Sequence, residues 1–204
     1  MIYLIGGPPR CGKTTLAKRL GRPWISADML ESIVREHTKK TDLDRLFPKN
    51  VMRKKTKDSN DLMYGAYSAV AIAKAYIAQA KASWKAIETV VECEISEGYD
   101  YVIEGHQIHP KLVAKLMKRY GKEIAPLFLV RSDIDDIVSG CLKNKAKNDW
   151  FLQNTRDKKT YYKIAEMIRV YGEYFEKEAG KYGLKVANMD GDFEGKMAKI
   201  AYLN

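Results

Sequence analysis

The strongest constraint on the fold is a glycine-rich motif that directly follows the first apolar run of the chain. Residues 2–5 are apolar and predict a buried strand, because turn residues bound this short run. The motif G-x-x-x-x-G-K-[ST] is matched in full by Gly7-Pro8-Pro9-Arg10-Cys11-Gly12-Lys13-Thr14. A helix is predicted from Lys13 to Leu20, with Gly21 as its stop. This succession of strand, loop and helix is the context in which the motif forms a phosphate-binding loop.

Each residue type of the motif has a chemical role in binding phosphate. Gly7 and Gly12 allow backbone angles that turn successive N–H groups towards phosphate oxygens. Lys13 can reach the β- and γ-phosphates of a nucleoside triphosphate, and the Thr14 hydroxyl is a ligand for Mg²⁺. The helix that opens here directs its positive end at the same phosphates. We therefore expect ATP and Mg²⁺ as cofactors, with contacts from the whole loop through Thr15.

The cysteines give two further indications. Cys11 lies inside the loop and is either a small space-filling residue or a thiol that the helix N-terminus helps to ionise, which would make it sensitive to oxidation. Three cysteines far apart in the sequence predict neither a disulfide framework nor a metal site, and they fit a reducing cytoplasm best. Gly6 and Gly7 interrupt the first apolar run, so we expect no signal peptide and no membrane span.

The rest of the chain alternates short apolar segments with helical patterns. Strands are predicted at residues 23–26, 101–104, 127–130 and 185–188, and helices at 28–37, 110–120, 133–145, 157–182 and after 192. Apolar residues at spacings of three and four predict one long helix from residue 63 to Gly98. The alternation predicts an α/β fold with a five-stranded parallel sheet and helices on both faces. We find no repeat and no linker, so residues 1–204 are predicted to form one domain.

The positive charge of the chain is concentrated in two stretches. The sequence has 36 Lys and Arg against 26 Asp and Glu, a net charge of +10. Residues 39–57 contain eight basic and two acidic residues, and residues 143–163 contain seven basic and two acidic residues. Each stretch is either a solvated surface or a region that attracts anions. We interpret residues 38–60 as a mobile insert or a broken helical loop beside the acceptor, and residues 143–163 as a lid.

Two acidic residues stand at the carboxyl ends of predicted strands, where ligands bind in parallel sheets: Asp28 follows the second strand and Glu104 ends the third. Asp28 could orient a hydroxyl of the acceptor or take its proton, or it could only cap the next helix, with Ser26 as a rival cap. Glu104 is placed like a second acidic residue that holds Mg²⁺ through water, although it could also have no role. We therefore predict Asp28 and Glu104 as substrate-binding residues, with Thr14 and Glu104 at the metal.

Basic side chains near these positions could complete a site for phosphate chemistry. Arg35 lies one to two helical turns after Asp28 and could bind an anionic group of the acceptor. Arg131 ends the fourth predicted strand and is a catalytic candidate, or it pairs with Asp133 or Asp135. A cation from the lid could stabilise transition-state charge and exclude water. We predict Arg156 for this role, since a planar guanidinium binds phosphate through two N–H groups; the other candidates are Lys143, Lys145 and Lys147.

The histidines and a group of aromatic residues each allow two interpretations. His106 and His109 have an H-x-x-H spacing that suggests zinc, but no third ligand has a matching spacing, so we favour loop histidines beside a polar cleft. His106 is included among the substrate-binding candidates. A second set of residues could stack on a base or pack the lid onto the core: Trp150, Phe151, Tyr161 and Tyr162.

With these residues in place, the chain resembles P-loop small-molecule kinases of the nucleoside-monophosphate-kinase type. Within that group it is most similar to the 2-phosphoglycerate-kinase-like and related ATP-binding kinases. The resemblance rests on the loop, on Ile25-Ser26-Ala27-Asp28 with Ile33-Val34-Arg35, on residues 102–110, and on a helix–strand tail at 167–190. It implies a three-layer P-loop NTPase fold, Mg-ATP, and a lid after the fourth strand. The Pro8-Pro9 pair and the basic insert depart from the family pattern.

We therefore expect a kinase that transfers the γ-phosphoryl group of Mg-ATP to a small, anionic acceptor. Three alternatives remain open. The chain could phosphorylate nucleic-acid ends or nucleotide derivatives, which would also explain the basic charge. It could be a zeta-toxin-like kinase that acts on an activated sugar nucleotide. It could also be a nucleotide switch or NTPase without an acceptor.

Overall fold

The computed structural model of the chain describes residues 1–143 and 149–202. The described strands are β1 (Ile2–Gly6), β2 (Trp24–Ser26), β3 (Tyr101–Glu104), β4 (Ile124–Val130) and β5 (Val186–Asn188). They form one parallel sheet in the order β2-β3-β1-β4-β5. The predicted five-stranded parallel sheet is therefore confirmed, and its helices surround it in a three-layer α/β arrangement.

Helices follow the strands as the alternating sequence pattern predicts. The helices of the first half are α1 (Lys13–Arg19), α2 (Ala27–Glu36), α3 (Lys40–Leu46), α4 (Pro48–Lys55), α5 (Asn60–Ala66), α6 (Ala69–Ala80) and α7 (Trp84–Glu97). Those of the second half are α8 (Pro110–Tyr120), α9 (Ile134–Lys143), α10 (Trp150–Gln153), α11 (Lys158–Lys181) and α12 (Phe193–Tyr202).

The central strand β1 explains why the sheet needs cover on both faces. All of its residues are buried, with Ile2 and Leu4 fully so. Successive side chains of a strand point to opposite faces, so an entirely buried strand requires packing on each side. Helix α1 packs along β1, β2 and β3, and α11 packs against β4, α6 and α9. This burial holds the carboxyl end of β1, from which the glycine-rich loop leaves, in a fixed position.

The prediction of one long helix needs correction. The long helix predicted from residue 63 to Gly98 is broken, because Tyr67 is extended and Ser68 starts a new helix. The Ser68 hydroxyl accepts a hydrogen bond from the N–H of Ala71 at 3.2 Å, so a local cap overrides the apolar periodicity. A 3₁₀ turn at Lys81–Ser83 makes a second break. The longest described helix is α11, with 24 residues.

The basic segment at residues 38–60 contains two short helices, α3 and α4, and not a structureless insert. Pro48 occupies the first turn of α4, where its missing N–H costs nothing. The broken helical alternative is thus the better description. In residues 1–143 and 149–202, no helix combines the length and the apolar character needed to cross a bilayer.

Candidate active site

The loop between β1 and α1 is closely packed at both of its motif glycines. Gly7 has φ 130° and Gly12 has φ 92°, angles that favour glycine. A Cβ at Gly7 would lie 2.0 Å from the carbonyl oxygen of Leu129, and one at Gly12 would lie 2.3 Å from Cε of Met197. The backbone angle therefore favours glycine at both positions, and at Gly7 the nearby backbone of Leu129 also excludes a side chain.

Lys13 and Thr14 bring the charge and the hydroxyl of the motif to this loop. The Lys13 side chain is buried, and its Nζ donates a hydrogen bond to the carbonyl oxygen of Pro8 at 2.6 Å. The Thr14 hydroxyl donates to Oε1 of Glu104 at 3.1 Å. A hydroxyl and a carboxylate side by side are hard oxygen ligands of the kind Mg²⁺ prefers. This donor set fits the predicted metal.

Strand register accounts for the position of Glu104. Glu104 pairs with Ile5 of β1 on one side and with Ser26 of β2 on the other, so the carboxyl ends of three strands meet at one edge. Burial raises the pKa of the Glu104 carboxyl above its ordinary value, although Lys13 and the Thr14 hydrogen bond act in the opposite direction. The carboxylate is thus costly to keep ionised without a cation nearby.

Asp28 does not cap the helix to which it belongs, because Ser26 is the N-cap of α2. The Ser26 hydroxyl accepts from the N–H of Asp28 at 3.3 Å and is the N-cap of α2. The Asp28 side chain, 69% exposed, opens into a cleft, where Nε2 of Gln107 donates to its Oδ1 at 2.7 Å. The alternative of Asp28 as a helix cap is therefore not supported by the structure.

The pKa of Asp28 is set by opposing effects. Burial raises it, whereas His106, the Gln107 hydrogen bond, Lys49 and Lys13 lower it, and the net direction is downward. Burial also lowers the pKa of His106 to about 3, so this ring is neutral near pH 7. The neutral ring exerts no charge on Asp28 near pH 7, whereas the Gln107 hydrogen bond and the two lysines still lower the pKa of Asp28.

His109 is a core residue and not a metal ligand. Its Nε2 lies 2.9 Å from the hydroxyl of Tyr171, which donates to the carbonyl oxygen of His106 at 3.0 Å. The hydroxyl of Tyr174 lies 3.2 Å from Nδ1. One arrangement satisfies all three contacts: Nε2 donates to Tyr171, and Nδ1 accepts from Tyr174. Both ring nitrogens therefore contact tyrosine hydroxyls inside the core, and His109 does not lie beside either described cleft.

We expect the buried His109 to make folding stability depend on pH. Burial lowers its pKa to about 3 from 6.5, so below pH 6.5 the unfolded chain takes up a proton that the folded chain does not. Stability should fall as pH drops from 6.5 towards 3, by up to roughly 1.4 kcal/mol per pH unit for this one proton. Urea unfolding at several pH values should show a shallower slope in His109→Phe.

The control for this pH dependence is the exposed histidine of the chain, His37. A His37→Gln variant should keep the wild-type slope. The His109→Phe variant will also lose the two tyrosine hydrogen bonds at every pH, so the comparison uses slopes and not absolute stabilities. Equal slopes in His109→Phe and the wild type would contradict the prediction.

Two clefts open on either side of the loop. The α9 cleft, of about 740 Å³, lies between the loop, α9 and residues 191–194. The α2 cleft, of about 630 Å³, lies between the loop, α2 and α4 and contains Asp28. Three side chains line both clefts: Arg10, Lys13 and Thr14. The two clefts therefore adjoin at these side chains.

Basic side chains enter the α2 cleft from two elements. Arg35 comes from α2, whereas Lys49 and Arg53 come from α4 in the basic segment. Nζ of Lys49 is 3.9 Å from Oε1 of Glu31, and Nη1 of Arg53 donates to Oδ1 of Asn60 at 2.7 Å. Part of the basic segment thus faces a cleft, and sequence reasoning did not single out Lys49 or Arg53 by number as site residues.

A network of polar side chains that the sequence did not reveal is hydrogen-bonded to Asp28. Nε2 of Gln107 donates to Glu31 at 3.1 Å as well as to Asp28. Nε2 of Gln79 donates to Glu31 at 2.7 Å and to Asn50 at 3.1 Å. Glu31 lies three residues after Asp28 and so on the same helical face, which is the one signal that could have indicated it.

Arg131 has different partners from those predicted. Its guanidinium pairs with the carboxylate of Asp136, and its Nε is 3.6 Å from Oδ1 of Asp190. The pairing with Asp133 or Asp135 is therefore wrong. Arg131 is buried and lines the α9 cleft, so its catalytic role stays a prediction.

The two predicted lid cations within the described residues, Lys143 and Arg156, do not line the same cleft. The Arg156 side chain is exposed and lines neither described cleft, and its backbone N–H donates to Oδ2 of Asp61 at 2.9 Å. Lys143 lines the α9 cleft. Lys145 and Lys147 lie outside the described residues. The structure therefore gives no support to Arg156 as the cation at the phosphates.

Cys11 and Phe151 are buried in the core, whereas the other aromatic candidates lie in different environments. Cys11 is fully buried, and burial raises the pKa of its thiol to about 12, which argues against a reactive thiolate. Phe151 is fully buried and stacks on Tyr161 with ring centroids 5.1 Å apart. Trp150 lines the α2 cleft, and Tyr162 is exposed. Across residues 1–143 and 149–202, no cluster of three or more His, Cys, Asp or Glu could hold a metal alone.

Comparison with solved structures agrees with this architecture. The chain is similar to shikimate kinase from Bacteroides thetaiotaomicron, with a TM-score of 0.50 and 15% identity over 99% of this chain and 96% of that one. It is also similar to shikimate kinase from Acinetobacter baumannii in complex with shikimate, with a TM-score of 0.41 and 14% identity over 99% and 90%. No protein-family model and no curated protein matches the sequence.

At this low identity the likeness shows the fold. The chain has the P-loop nucleoside-monophosphate-kinase-like fold, as its sequence resemblance implied. The narrower resemblance to 2-phosphoglycerate-kinase-like proteins stays a prediction.

Proposed function

We propose that this protein is an ATP-dependent kinase that transfers the γ-phosphoryl group of Mg-ATP to a hydroxyl or phosphate of a small, anionic acceptor. The observation that carries the proposal is the meeting of two clefts at Lys13 and Thr14 of the loop. The α9 cleft is the nucleotide side, and the α2 cleft, which holds Asp28, is the acceptor side. The fold supports the same reading, since its structural neighbours include kinases.

The loop residues fit the nucleotide and its metal. The loop amides and Lys13 would bind the β- and γ-phosphates, and Thr14 and Glu104 would hold Mg²⁺. Mg²⁺, when bound, neutralises charge on these phosphates. Lys13 is buried and its Nζ has a carbonyl as its hydrogen-bond partner, so an anion beside it would relieve the cost of burying this charge.

Asp28 acts on the acceptor. Its carboxylate orients the acceptor hydroxyl and accepts the proton while that oxygen bonds to the γ-phosphorus; the bond from this phosphorus to the bridging oxygen breaks, and its electron pair leaves with ADP. Gln107 holds the carboxylate from one side at 2.7 Å. His106, neutral and 3.4 Å from Asp28, is available to bind the acceptor.

The acceptor is proposed to be anionic because cations line its cleft. Arg35, Lys49 and Arg53 all face the α2 cleft, and the last two belong to the segment that sequence charge singled out. Residues 38–60 are thus proposed as the acceptor-side insert of a single domain. The cytoplasm, with its ATP, is the proposed location.

The proposal is tested by measuring ATP consumption with a panel of acceptors. The panel contains phosphorylated sugars, glycerates, nucleosides, sugar nucleotides and oligonucleotides with a 5′-hydroxyl, and Lys13→Ala serves as the blank. Turnover that depends on one small anionic acceptor supports the proposal. Equal turnover by the wild type and the blank refutes it. Turnover restricted to oligonucleotides, falling steeply with salt, would identify the nucleic-acid alternative.

We expect Lys49→Ala to weaken acceptor binding specifically. Lys49 lines the acceptor cleft, and losing one charge-assisted contact should raise the KM of the acceptor about 10- to 100-fold. The KM of ATP should change little, because the substitution lies on the acceptor side. Lys40→Ala is the control: Lys40 is exposed in the same basic segment and does not line either described cleft. Equal effects of the two substitutions would show that only the general positive charge matters.

A further inference from the structure

The junction of the two clefts contains one side chain whose role the motif does not explain. Lys13 and Thr14 are specified by the motif, but the position of Arg10 is not. Arg10 nevertheless lines both clefts, as those two residues do. Its side chain therefore borders the α9 cleft and the α2 cleft at their junction.

The backbone at Arg10 is in a conformation that glycine adopts more easily. Its φ is 67°, in the left-handed region that is unfavourable for residues with a Cβ. A large side chain at such a position needs compensating contacts, and strained residues of this kind are concentrated at functional sites.

The Arg10 side chain is held on two sides. It forms an ion pair with the carboxylate of Asp149, and its guanidinium carbon lies 5.0 Å from the ring centroid of Phe151. The N–H of Phe151 donates to Oδ1 of Asp149 at 3.0 Å, which holds the carboxylate in turn. The Arg10 side chain is 14% exposed and that of Asp149 is 2% exposed. The guanidinium is thus oriented before any ligand arrives.

The ion pair does not use all the donors of Arg10. A guanidinium has five N–H donors, and the contact to Asp149 is made through Nη2. Nε of Arg10 is buried and has no hydrogen-bond partner among the described residues. Donors therefore remain available to an anion at the junction.

We propose that Arg10 is a catalytic residue that contacts the γ-phosphoryl group during transfer and stabilises the charge of the transition state. Asp149 is a positioning residue that acts through Arg10. This inference rests on the proposed kinase function. Arg10 thus takes the role of stabilising transition-state charge, which the sequence analysis predicted for Arg156. The Arg156 side chain lines neither described cleft. An arginine fixed in advance at a site of low dielectric is effective because it needs no reorganisation during the reaction.

The test measures how much aluminium fluoride tightens the binding of MgADP, since the ternary complex imitates the transferring phosphoryl group and needs no acceptor. In the variant Arg10→Gly, glycine suits the backbone angle, so a defect would not arise from strain. We expect the Kd of Arg10→Gly for MgADP alone to stay within about 3-fold of the wild-type value. The factor by which aluminium fluoride tightens MgADP binding should fall by about 10²-fold or more. Arg10→Lys should recover only part of it, because an ammonium lacks the planar fork.

Asp149→Asn tests the positioning role, because Asn caps α10 as well as Asp but carries no charge. It should reduce tightening about 3- to 10-fold when Arg10 is present and less than about 2-fold in the Arg10→Gly background. Equal effects in both backgrounds would show that Asp149 acts through the fold alone and would refute its assignment.

The remaining outcomes separate this inference from the proposed function. If aluminium fluoride tightened MgADP binding in Arg10→Gly as much as in the wild type, the inference would be overturned. The same holds if this tightening were lost in Arg156→Ala and kept in Arg10→Gly. Neither result would contradict the kinase proposal. A wild type that does not bind MgADP at all would refute both. Normal MgADP affinity and a cooperative melting transition in Arg10→Gly show that the variant is folded, although loss of the buried ion pair should lower its melting temperature.

Discussion

An Asp28→Asn variant is expected to lose about 10²- to 10⁴-fold of its kcat for phosphoryl transfer, which is the range for removing a general base. The asparagine fills the same volume but cannot take the acceptor proton. Because Asp28 lies in the acceptor cleft, the affinity for ATP should stay within a few-fold of the wild type. Single-turnover kinetics with the identified acceptor, together with calorimetric titration of ATP, would measure both quantities.

The matched control for this variant is Asp44→Asn, which removes an exposed carboxylate from α3 in the basic segment. It changes the net charge by the same amount and should leave kcat unaltered. If Asp28→Asn retained kcat within about 3-fold, the carboxylate would only orient the acceptor, because loss of a general base costs at least about 10²-fold. ATP hydrolysis that needs no acceptor and is unaffected by Asp28→Asn would favour the NTPase alternative.

Lys13→Ala is expected to lower kcat/KM for ATP by about 10²- to 10³-fold, since it removes a buried positive charge from the site of phosphate binding. The Lys13 side chain is buried, and its Nζ is already directed by the carbonyl oxygen of Pro8 at 2.6 Å. Both ATP affinity and transfer should fall, unlike in Asp28→Asn. Calorimetry with Mg-ATP and steady-state kinetics would distinguish the two patterns.

Lys18→Ala is the control for this second variant. Lys18 belongs to the same helix, α1, but it is exposed in its last turn. Its loss should leave ATP binding unchanged. If Lys13→Ala bound Mg-ATP as tightly as the wild type, the loop would not be the triphosphate site, and the proposed function would lose its main support.

Elements bounded by strong local signals could be predicted closely from the sequence. Strand β3 and helix α8 have the predicted bounds, because Glu104 is followed by glycine and α8 begins at a proline. The long helix was predicted wrongly where Ser68 caps α6, since a single capping serine is a weak signal inside an apolar periodicity. Local chemistry of this kind decides where a helix is interrupted, and a periodic pattern does not show it.

Some residues of the candidate site could also be located from the sequence, and others could not. The loop, Asp28 and Glu104 could be located from sequence because each lies at the carboxyl end of an apolar strand, and parallel strands bring these ends to one edge of the sheet. Gln107, Gln79 and the partners of Arg131 could not, because each makes its contact with a residue whose position depends on how separate elements pack.

The sequence by itself determined the glycine-rich loop and the order of strands and helices, since both depend on residues that are neighbours along the chain. Only the tertiary structure decided which cations face the two clefts. It brought Lys49 of α4 to the α2 cleft, joined Arg10 to Asp149 across 139 positions, and left Arg156 outside both described clefts. Side-chain charge acts through distance in space, and that distance is set by the packing of elements far apart in the sequence.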